Sequence, residues 1–179
     1  MIEKIEEIRI SLKNGTYLSA LALALTLPDI CSQIEASASK GNRDLYIKWV
    51  NTHVLSGYFD VQIPGFDEAM FAGNVCYSLR CNFLHSGSFT VKSKELSVSI
   101  EHFILKKPGS LVSRSNPLNG DAKSFGYRYE TRFNPDNTQT ISVEIDIAYL
   151  CESLCQAAEN FYSTQPDKNR FIDHACIIQ

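Results

Sequence analysis

The sequence predicts a mainly α protein of the α+β class: a bundle of about five helices with a three-stranded antiparallel β insertion before the last helix. Apolar residues recur at helical spacing over residues 1–87 and again over 147–164. Over residues 92–146 the apolar period shortens to two, which is typical of half-buried strands. The length of 179 residues suits one domain, 1–179, with an irregular tail over 165–179.

The first two helical segments are separated by Asn14-Gly15. A short amphipathic helix is predicted over 2–13, because four apolar residues form one stripe: Ile2, Ile5, Ile8 and Leu12. Residues 16–36 form the apolar central helix. Pro28 is expected to kink or split this helix, since proline removes a backbone donor and clashes with the preceding turn. Asp29 would then cap the second half.

Two further helices follow in the first half of the chain. One is predicted over 43–56 and the other over 67–85, with Gly87 as its stop. In the former, three residues are expected to face inward: Leu45, Trp49 and Val50. In the latter, the residues fall on two adjacent ridges: Val75, Leu79 and Phe83, then Cys76, Arg80 and Leu84.

Three strands are predicted by strict alternation over 96–101, 127–133 and 140–147. The segment Asn134–Asn137 supplies a turn between the last two strands, and a long loop covers 107–124. A closing helix over 147–163 carries one apolar stripe: Leu150, Leu154, Ala158 and Phe161. Because three strands with one apolar face need a cover, we expect the sheet to pack on the bundle.

The charge balance argues against sequence-blind coating of nucleic acid. The net charge is −3, whereas such coating needs an excess of Lys and Arg. Residues 91–132 nevertheless carry eight positive and four negative side chains. This basic middle segment is compatible with an RNA-contact surface, for which the candidates are Lys106, Lys107, Arg128 and Arg132, and it is equally compatible with a solvated sheet face.

The six cysteines form no CxxC pair and no zinc-type spacing, so no metal site is predicted. They are expected to be small buried hydrophobes in a reducing cytoplasm, with a thiol switch as the alternative. The apolar run Tyr17–Leu27 imitates a signal-peptide core, but it starts late and follows three Glu residues. It is also too short to span a membrane, so no membrane association is expected.

The clearest chemical signal lies at residues 80–85, which read Arg-Cys-Asn-Phe-Leu-His. A guanidinium holds a phosphate through two parallel hydrogen bonds, and an imidazole exchanges a proton near pH 7. Arg80 and His85 are therefore the candidate catalytic residues for cleaving RNA without a metal or another cofactor. Asn82 is a candidate for orienting His85 or binding phosphate. Tyr77, one turn before Arg80, is a candidate for stacking on a base, with core packing as the alternative.

The Arg80-x-Asn82-x-x-His85 pattern resembles the motif of the HEPN superfamily. Nucleases of that group carry an Arg, a polar residue two positions on, and a His four to six residues after the Arg. Segments 27–31 and 46–49 are also similar to uncharacterised bacterial and phage members. The resemblance covers roughly residues 15–87 and the helix after 147. It implies a HEPN-like bundle, a homodimer with a composite active site, and a role in defence or toxin–antitoxin systems, with an antitoxin protein as a further partner.

The chemistry expected of this pair uses the nucleophile that RNA carries. His85 would take the proton of the 2′-OH or protonate the leaving 5′-oxygen, and Arg80 would stabilise the charge on the phosphate. Residues five positions apart lie about 140° apart around an ideal helix. The two side chains are therefore expected to diverge within one chain unless the helix unwinds at its end, and a two-fold dimer would bring them together.

Structural roles compete with these catalytic ones. Arg80 would serve an ion pair in the bundle, with Asp29 or Asp44 as partner, and His85 would interact with the last carbonyls of its helix. The sequence thus supports two functions of different classes. One is a metal-independent endoribonuclease that gives a 2′,3′-cyclic phosphate; the other is a non-catalytic HEPN-like helical dimer that binds a nucleotide, RNA or a protein. The sequence contains no Walker loop or GxGxxG that would indicate a nucleotide-dependent enzyme.

Overall fold

The computed structural model describes residues 1–36, 42–54, 73–87, 100–111, 127–133 and 139–174. The described part is mainly helical. Its α-helices are α1 Ile2–Lys13, α2 Tyr17–Ala24, α3 Leu27–Glu35, α4 Asn42–His53, α5 Gly73–Ser86 and α6 Ile147–Thr164. Its strands are β1 Ile100–Lys106, β2 Tyr127–Phe133 and β3 Gln139–Asp146.

Helix α6 lies at the centre of the bundle, in contact with α1, α2 and α3, while α4 packs between α3 and α5. The predicted stripe of α6 is confirmed, since its four residues are all buried. On the outer side, the Arg9 guanidinium bridges Glu152 and Glu159, with its shortest contact to each carboxylate at 2.6 Å. The first helix is therefore fastened to the last by both packing and charge.

The apolar central segment is split, as predicted, into α2 and α3. Pro28 is the second residue of α3, where its missing N–H breaks no helical hydrogen bond. The expectation that Asp29 caps this helix is wrong: Thr26 is the N-cap residue, and Asp29 lies inside the first turn. By length and composition Tyr17–Glu35 passes as one membrane span, but 56% of that window is buried inside the protein.

Helix α4 directs its largest side chains into the core. Trp49 and Val50 are buried as predicted, but the third inward residue is Tyr46 rather than Leu45, which is only half-buried. The Tyr46 hydroxyl donates to the Leu25 carbonyl at 3.3 Å and lies 3.5 Å from the Cys76 sulfur. The predicted continuation to residue 56 and the predicted start of the next helix at 67 lie outside the described residues.

The sheet is mixed, so the prediction of three antiparallel strands is wrong. The strand order is β1-β3-β2; β2 and β3 are antiparallel, whereas β1 and β3 are parallel. Alternation has the same period in both arrangements and cannot distinguish them. The first strand covers 100–106 rather than 96–101, and residues 96–99 lie outside the described part. The sheet packs on the bundle, since Phe103, Val143 and Ile145 belong to the same core cluster as the helices.

The tail is more ordered than predicted. Residues Lys168–His174 form a 3₁₀ helix instead of an irregular segment. Phe171 is buried and packs its ring against Phe161 and Tyr162, at centroid distances of 6.3 and 4.8 Å. Arg170 donates a hydrogen bond to the Ile34 carbonyl at the end of α3. The segment after α6 therefore closes one end of the bundle.

Candidate active site

The candidate active site lies at the C-terminal end of α5. This helix begins with a close approach to α4: the Gly73 N–H donates to the Asn51 side chain at 2.6 Å. A Cβ at Gly73 would lie 2.4 Å from the Ile47 carbonyl oxygen, so only glycine fits. Val75, Cys76 and Leu79 bury one face of the helix. The remaining positions carry the polar residues of the motif along the margin of the core.

Helix α5 ends where the sequence predicts a stop. Gly87 has a φ of +60°, the left-handed conformation that glycine adopts without strain, and its N–H donates to the Phe83 carbonyl at 3.1 Å. His85 lies in the last turn and is exposed. The ring of His85 is therefore accessible to a large substrate such as RNA.

Arg80 forms an ion pair across the bundle with Asp29 of α3. Its Nε and Nη2 atoms both lie 3.0 Å from Oδ2 of Asp29. The two side chains are 21% and 16% exposed, so the pair is shielded from water on most sides. Of the two partners that the sequence allowed, Asp29 is the observed one; Asp44 contacts Arg43 at 3.2 Å.

Burial and the attraction between unlike charges oppose each other in this ion pair. Burial raises the pKa of the Asp29 carboxyl, and the attraction of Arg80, together with a smaller one from His85, only partly offsets that rise. Burial alone would lower the pKa of Arg80, but its attraction to Asp29 and its contact with Cys81 outweigh that effect and leave the pKa raised. The guanidinium is thus held as a permanent cation at neutral pH.

Arg80 also contacts His85, which corrects the expectation that the two side chains diverge. Nη1 of Arg80 lies 2.9 Å from Nε2 of His85, although the helix continues without unwinding to Ser86. The long arginine side chain spans the angle between the two positions. Because a guanidinium only donates hydrogen bonds, Nε2 is the acceptor in this contact.

Asn82 and Tyr77 occupy less direct positions beside the pair. The Asn82 amide donates to the Ser78 carbonyl at 2.8 Å, inside its own helix rather than toward the His85 ring. Tyr77 is half-buried and meets Tyr46 edge to face at 5.3 Å. The Arg80 guanidinium lies 6.0 Å from the centre of the Tyr77 ring. Tyr77 therefore flanks Arg80 and also contributes to packing.

Burial keeps the nearby phenols and thiols neutral. It raises the pKa of Tyr46 well above its usual value and that of Cys76 to about 12, and it also raises the pKa of Tyr77. These groups are therefore poor proton acceptors at pH 7. The Asp29 carboxylate is engaged by Arg80 and mostly shielded from water, whereas His85 is exposed, so its imidazole is the candidate base.

The cations predicted to hold RNA are placed on or beside the sheet. The Lys106 ammonium lies 2.9 Å from the carboxylate of Glu144, which is buried, whereas Lys107 is exposed. Arg128 pairs in register with Glu144 on the neighbouring strand, and Arg132 pairs with Thr140. The side chains of Arg128 and Arg132 lie outside the described part of the structure.

For Asp29, the sequence mainly predicted a role other than the one observed in this site. Its position in the first turn of α3 indicated a helix-terminal carboxylate, which is favoured there by the helix dipole. The two residues are 51 positions apart in the sequence, so local patterns do not reveal their contact. The packing of both α3 and α5 against α4 brings the two together.

No group of three or more His, Cys, Asp and Glu side chains within the described ranges is arranged to hold a metal ion. Comparisons with protein-family models, with curated proteins and with solved structures found no match for this chain. The chemistry of the site is therefore argued from its own geometry.

Proposed function

We propose that this protein is a metal-independent endoribonuclease of the HEPN-like kind, acting on RNA as a homodimer in the cytoplasm. The observation that carries the proposal is the 2.9 Å contact between Nη1 of Arg80 and Nε2 of His85 at an exposed helix end. A phosphate-binding cation and a neutral-pH base are thereby adjacent and accessible. A role in defence or in a toxin–antitoxin pair, with an antitoxin protein as partner, follows from the resemblance of the motif.

The reaction uses the 2′-OH of the substrate as nucleophile. Nε2 of His85 takes the 2′-OH proton, the 2′-oxygen forms a bond to phosphorus, and the bond from phosphorus to the 5′-oxygen breaks. Arg80 stabilises the negative charge that builds on the non-bridging oxygens. The products are a 2′,3′-cyclic phosphate and a 5′-hydroxyl, and DNA is inert because it lacks the 2′-OH.

A second proton donor is needed for the leaving 5′-oxygen. His85 is the imidazole that contacts Arg80 in the described part of one chain, and it starts the reaction as the base. A homodimer with a composite site supplies a second copy of His85 as the acid. Its exposed position at the end of α5 is compatible with such an arrangement.

The RNA backbone needs cations beyond Arg80. Lys107 is exposed and suits that role, while Lys106 must first leave Glu144. Arg128 and Arg132 are proposed to extend the contact along β2. Tyr77 is proposed to support a base near Arg80, and Asn82 to contact phosphate after releasing the Ser78 carbonyl.

The direct test is cleavage of total RNA by the purified protein in EDTA. We expect cleavage by the wild type and its loss in both Arg80→Ala and His85→Ala. His53→Ala is the matched control, because His53 pairs with Glu35 at 2.9 Å and stacks on Trp49 rather than contacting Arg80. It should cleave like the wild type. Absence of cleavage by a folded wild-type protein would contradict the proposal.

The alternative function is a non-catalytic HEPN-like dimer that binds a nucleotide, RNA or a protein partner. The Arg80–Asp29 ion pair favours this alternative, because an arginine engaged by a shielded carboxylate has a structural role without any chemistry. Expression in growing cells separates the two functions. A ribonuclease slows growth and loses that effect in His85→Ala, whereas a binding module leaves the growth of both strains unchanged.

A further inference from the structure

Four contacts already join the guanidinium of Arg80 to three neighbours. Nε and Nη2 face Oδ2 of Asp29, while Nη1 faces Nε2 of His85 and lies 3.9 Å from the Cys81 sulfur. One edge of the guanidinium is therefore anchored to α3, and its other end is occupied by residues of its own helix. A phosphate that binds through two parallel hydrogen bonds has to use the Nη1 end.

We propose that an RNA phosphate displaces His85 from Nη1 of Arg80, so that substrate binding itself releases the catalytic base. This inference rests on the proposed function and adds a regulatory step to the same site. Without substrate, the Nε2 lone pair is occupied by the guanidinium and His85 is held inactive. With substrate, the phosphate oxygens accept one hydrogen each from Nη1 and Nη2, and the Nε2 lone pair becomes free for the 2′-OH.

The strengths of the two hydrogen bonds favour this exchange. A phosphate brings negative charge to the guanidinium and accepts two parallel hydrogen bonds at once, whereas the imidazole nitrogen accepts one bond and brings no negative charge. The contact that is lost joins a cation to a neutral imidazole. Replacing it with a charge-assisted pair is therefore favourable, and the direction of exchange is toward phosphate.

The surroundings also determine which side chain moves. Asp29 holds the guanidinium from the side opposite to Nη1, in a contact that is mostly shielded from water. His85 is exposed and lies two residues before Gly87, at the end of the helix. Arg80 therefore stays in place while the imidazole rotates away. Asp29 and Arg80 are the charged groups that face His85 from the described helices.

The exchange can be observed directly from the ring nitrogens of His85. The full chain is labelled with ¹⁵N-histidine, and His85 is assigned by its absence from the spectrum of His85→Ala. In the unliganded protein above pH 7, we expect Nε2 to show the chemical shift of an acceptor and Nδ1 that of an N–H. The probes are inorganic phosphate and a 2′-deoxy dinucleotide, which binds without being cleaved.

Addition of the dinucleotide should remove the acceptor signature of Nε2 in the wild type. Arg80→Lys is the matched variant, because lysine keeps the charge but lacks the fork that reaches Asp29 and His85 together. In that variant the His85 signals should be independent of either probe. Cys81→Ser should behave like the wild type, since the sulfur contact is long.

The outcomes distinguish this inference from the proposed function. RNA cleavage that depends on Arg80 and His85, with unchanged ring signals at saturating dinucleotide, would overturn the displacement and leave the nuclease intact. Displacement without any RNA cleavage would support the anion exchange and contradict the nuclease. An Nε2 that already carries the proton in the unliganded protein, or no binding of either probe by calorimetry, would overturn the displacement directly.

Discussion

Replacing Asp29 with Asn is expected to slow RNA cleavage without unfolding the protein. Asn keeps the size of the side chain and one acceptor oxygen, but it removes the charge that faces Nε and Nη2 of Arg80. The substitution therefore weakens the anchoring of the guanidinium while leaving the packing of α3 unchanged.

The effect on cleavage follows from the strength of the lost interaction. Hydrogen bonds to charged groups contribute about 1.5–3 kcal/mol and neutral ones about 0.5–1.5 kcal/mol, a difference of roughly 1–1.5 kcal/mol. Since about 1.4 kcal/mol corresponds to a factor of ten, the equilibrium constant for holding Arg80 in its observed position falls by about tenfold. The rate of RNA cleavage at saturating substrate should fall by up to that factor.

Asp29→Asn is not expected to lower the free energy of unfolding, as most substitutions that break an ion pair do. Because the pKa of Asp29 is raised in the folded protein, folding favours the neutral carboxyl, which Asn imitates. At pH 7 the free energy of unfolding of Asp29→Asn should stay within about 1 kcal/mol of the wild-type value or exceed it slightly. Removing one partner of a fully buried pair would instead cost about 3–5 kcal/mol.

The same linkage predicts how the wild type depends on pH. A raised pKa means that the folded state binds the Asp29 proton more tightly than the unfolded state does. The stability contributed by Asp29 is therefore present below its ordinary value of 3.8 and is lost as the pH rises through the folded-state pKa. Relative to Asp29→Asn, the wild type should lose stability across that window in urea unfolding.

The assay pairs single-turnover cleavage of a defined RNA with urea unfolding of the same preparations. Asp44→Asn is the control, because Asp44 is exposed and contacts Arg43 instead of Arg80. It should leave the cleavage rate unchanged. If Asp29→Asn cleaves RNA at the wild-type rate, the anchoring role of Asp29 is refuted. If its free energy of unfolding falls by several kcal/mol, the ion pair serves mainly to hold the bundle together.

Three further substitutions, with Thr16→Ala as a control, test the fold that positions the site. Asp146 accepts hydrogen bonds from the Tyr149 and Gly109 N–H groups. Asp146→Ala should therefore lower the free energy of unfolding by about 2 kcal/mol in a urea titration. Thr16→Ala, at an N-cap without a side-chain cap bond, should lower it by under about 0.5 kcal/mol in the same titration. Gly73→Ala should lower the free energy of unfolding by about 1–3 kcal/mol in calorimetry, because the added methyl group would clash with a backbone oxygen. An unchanged melting temperature would contradict the close contact between the helices. Phe171→Ala should cost about 3–5 kcal/mol in denaturant, and a negligible effect would show that the tail is not part of the core.

Local patterns predicted the helices and the last two strands well. The stripe of α6, the break between α2 and α3 and the glycine stop after α5 all depend on short-range rules of spacing and backbone conformation. The strand direction does not depend on such rules. β1 pairs in parallel with β3, and the connection between them includes β2. Alternation of apolar and polar residues does not indicate which strand pairs with which.

The candidate site was predictable in composition but not in geometry. Arg80 and His85 were recognisable from residue type and spacing. Their direct contact was not predicted, because the angle between two positions around an ideal helix does not take the length of the arginine side chain into account. The 3₁₀ helix of the tail was not predicted either, and Phe171 anchors that helix in the core.

The most direct test of the nuclease account is the chemistry of the RNA ends produced in EDTA. The wild type should cleave a defined RNA to leave a 2′,3′-cyclic phosphate and a 5′-hydroxyl, and a single 2′-deoxy sugar at the cleaved position should abolish that cut. Arg80→Ala and His85→Ala should produce neither end. Fragments with a 5′-phosphate, or equal cleavage by all three proteins, would contradict the assignment of Arg80 and His85 as the catalytic pair.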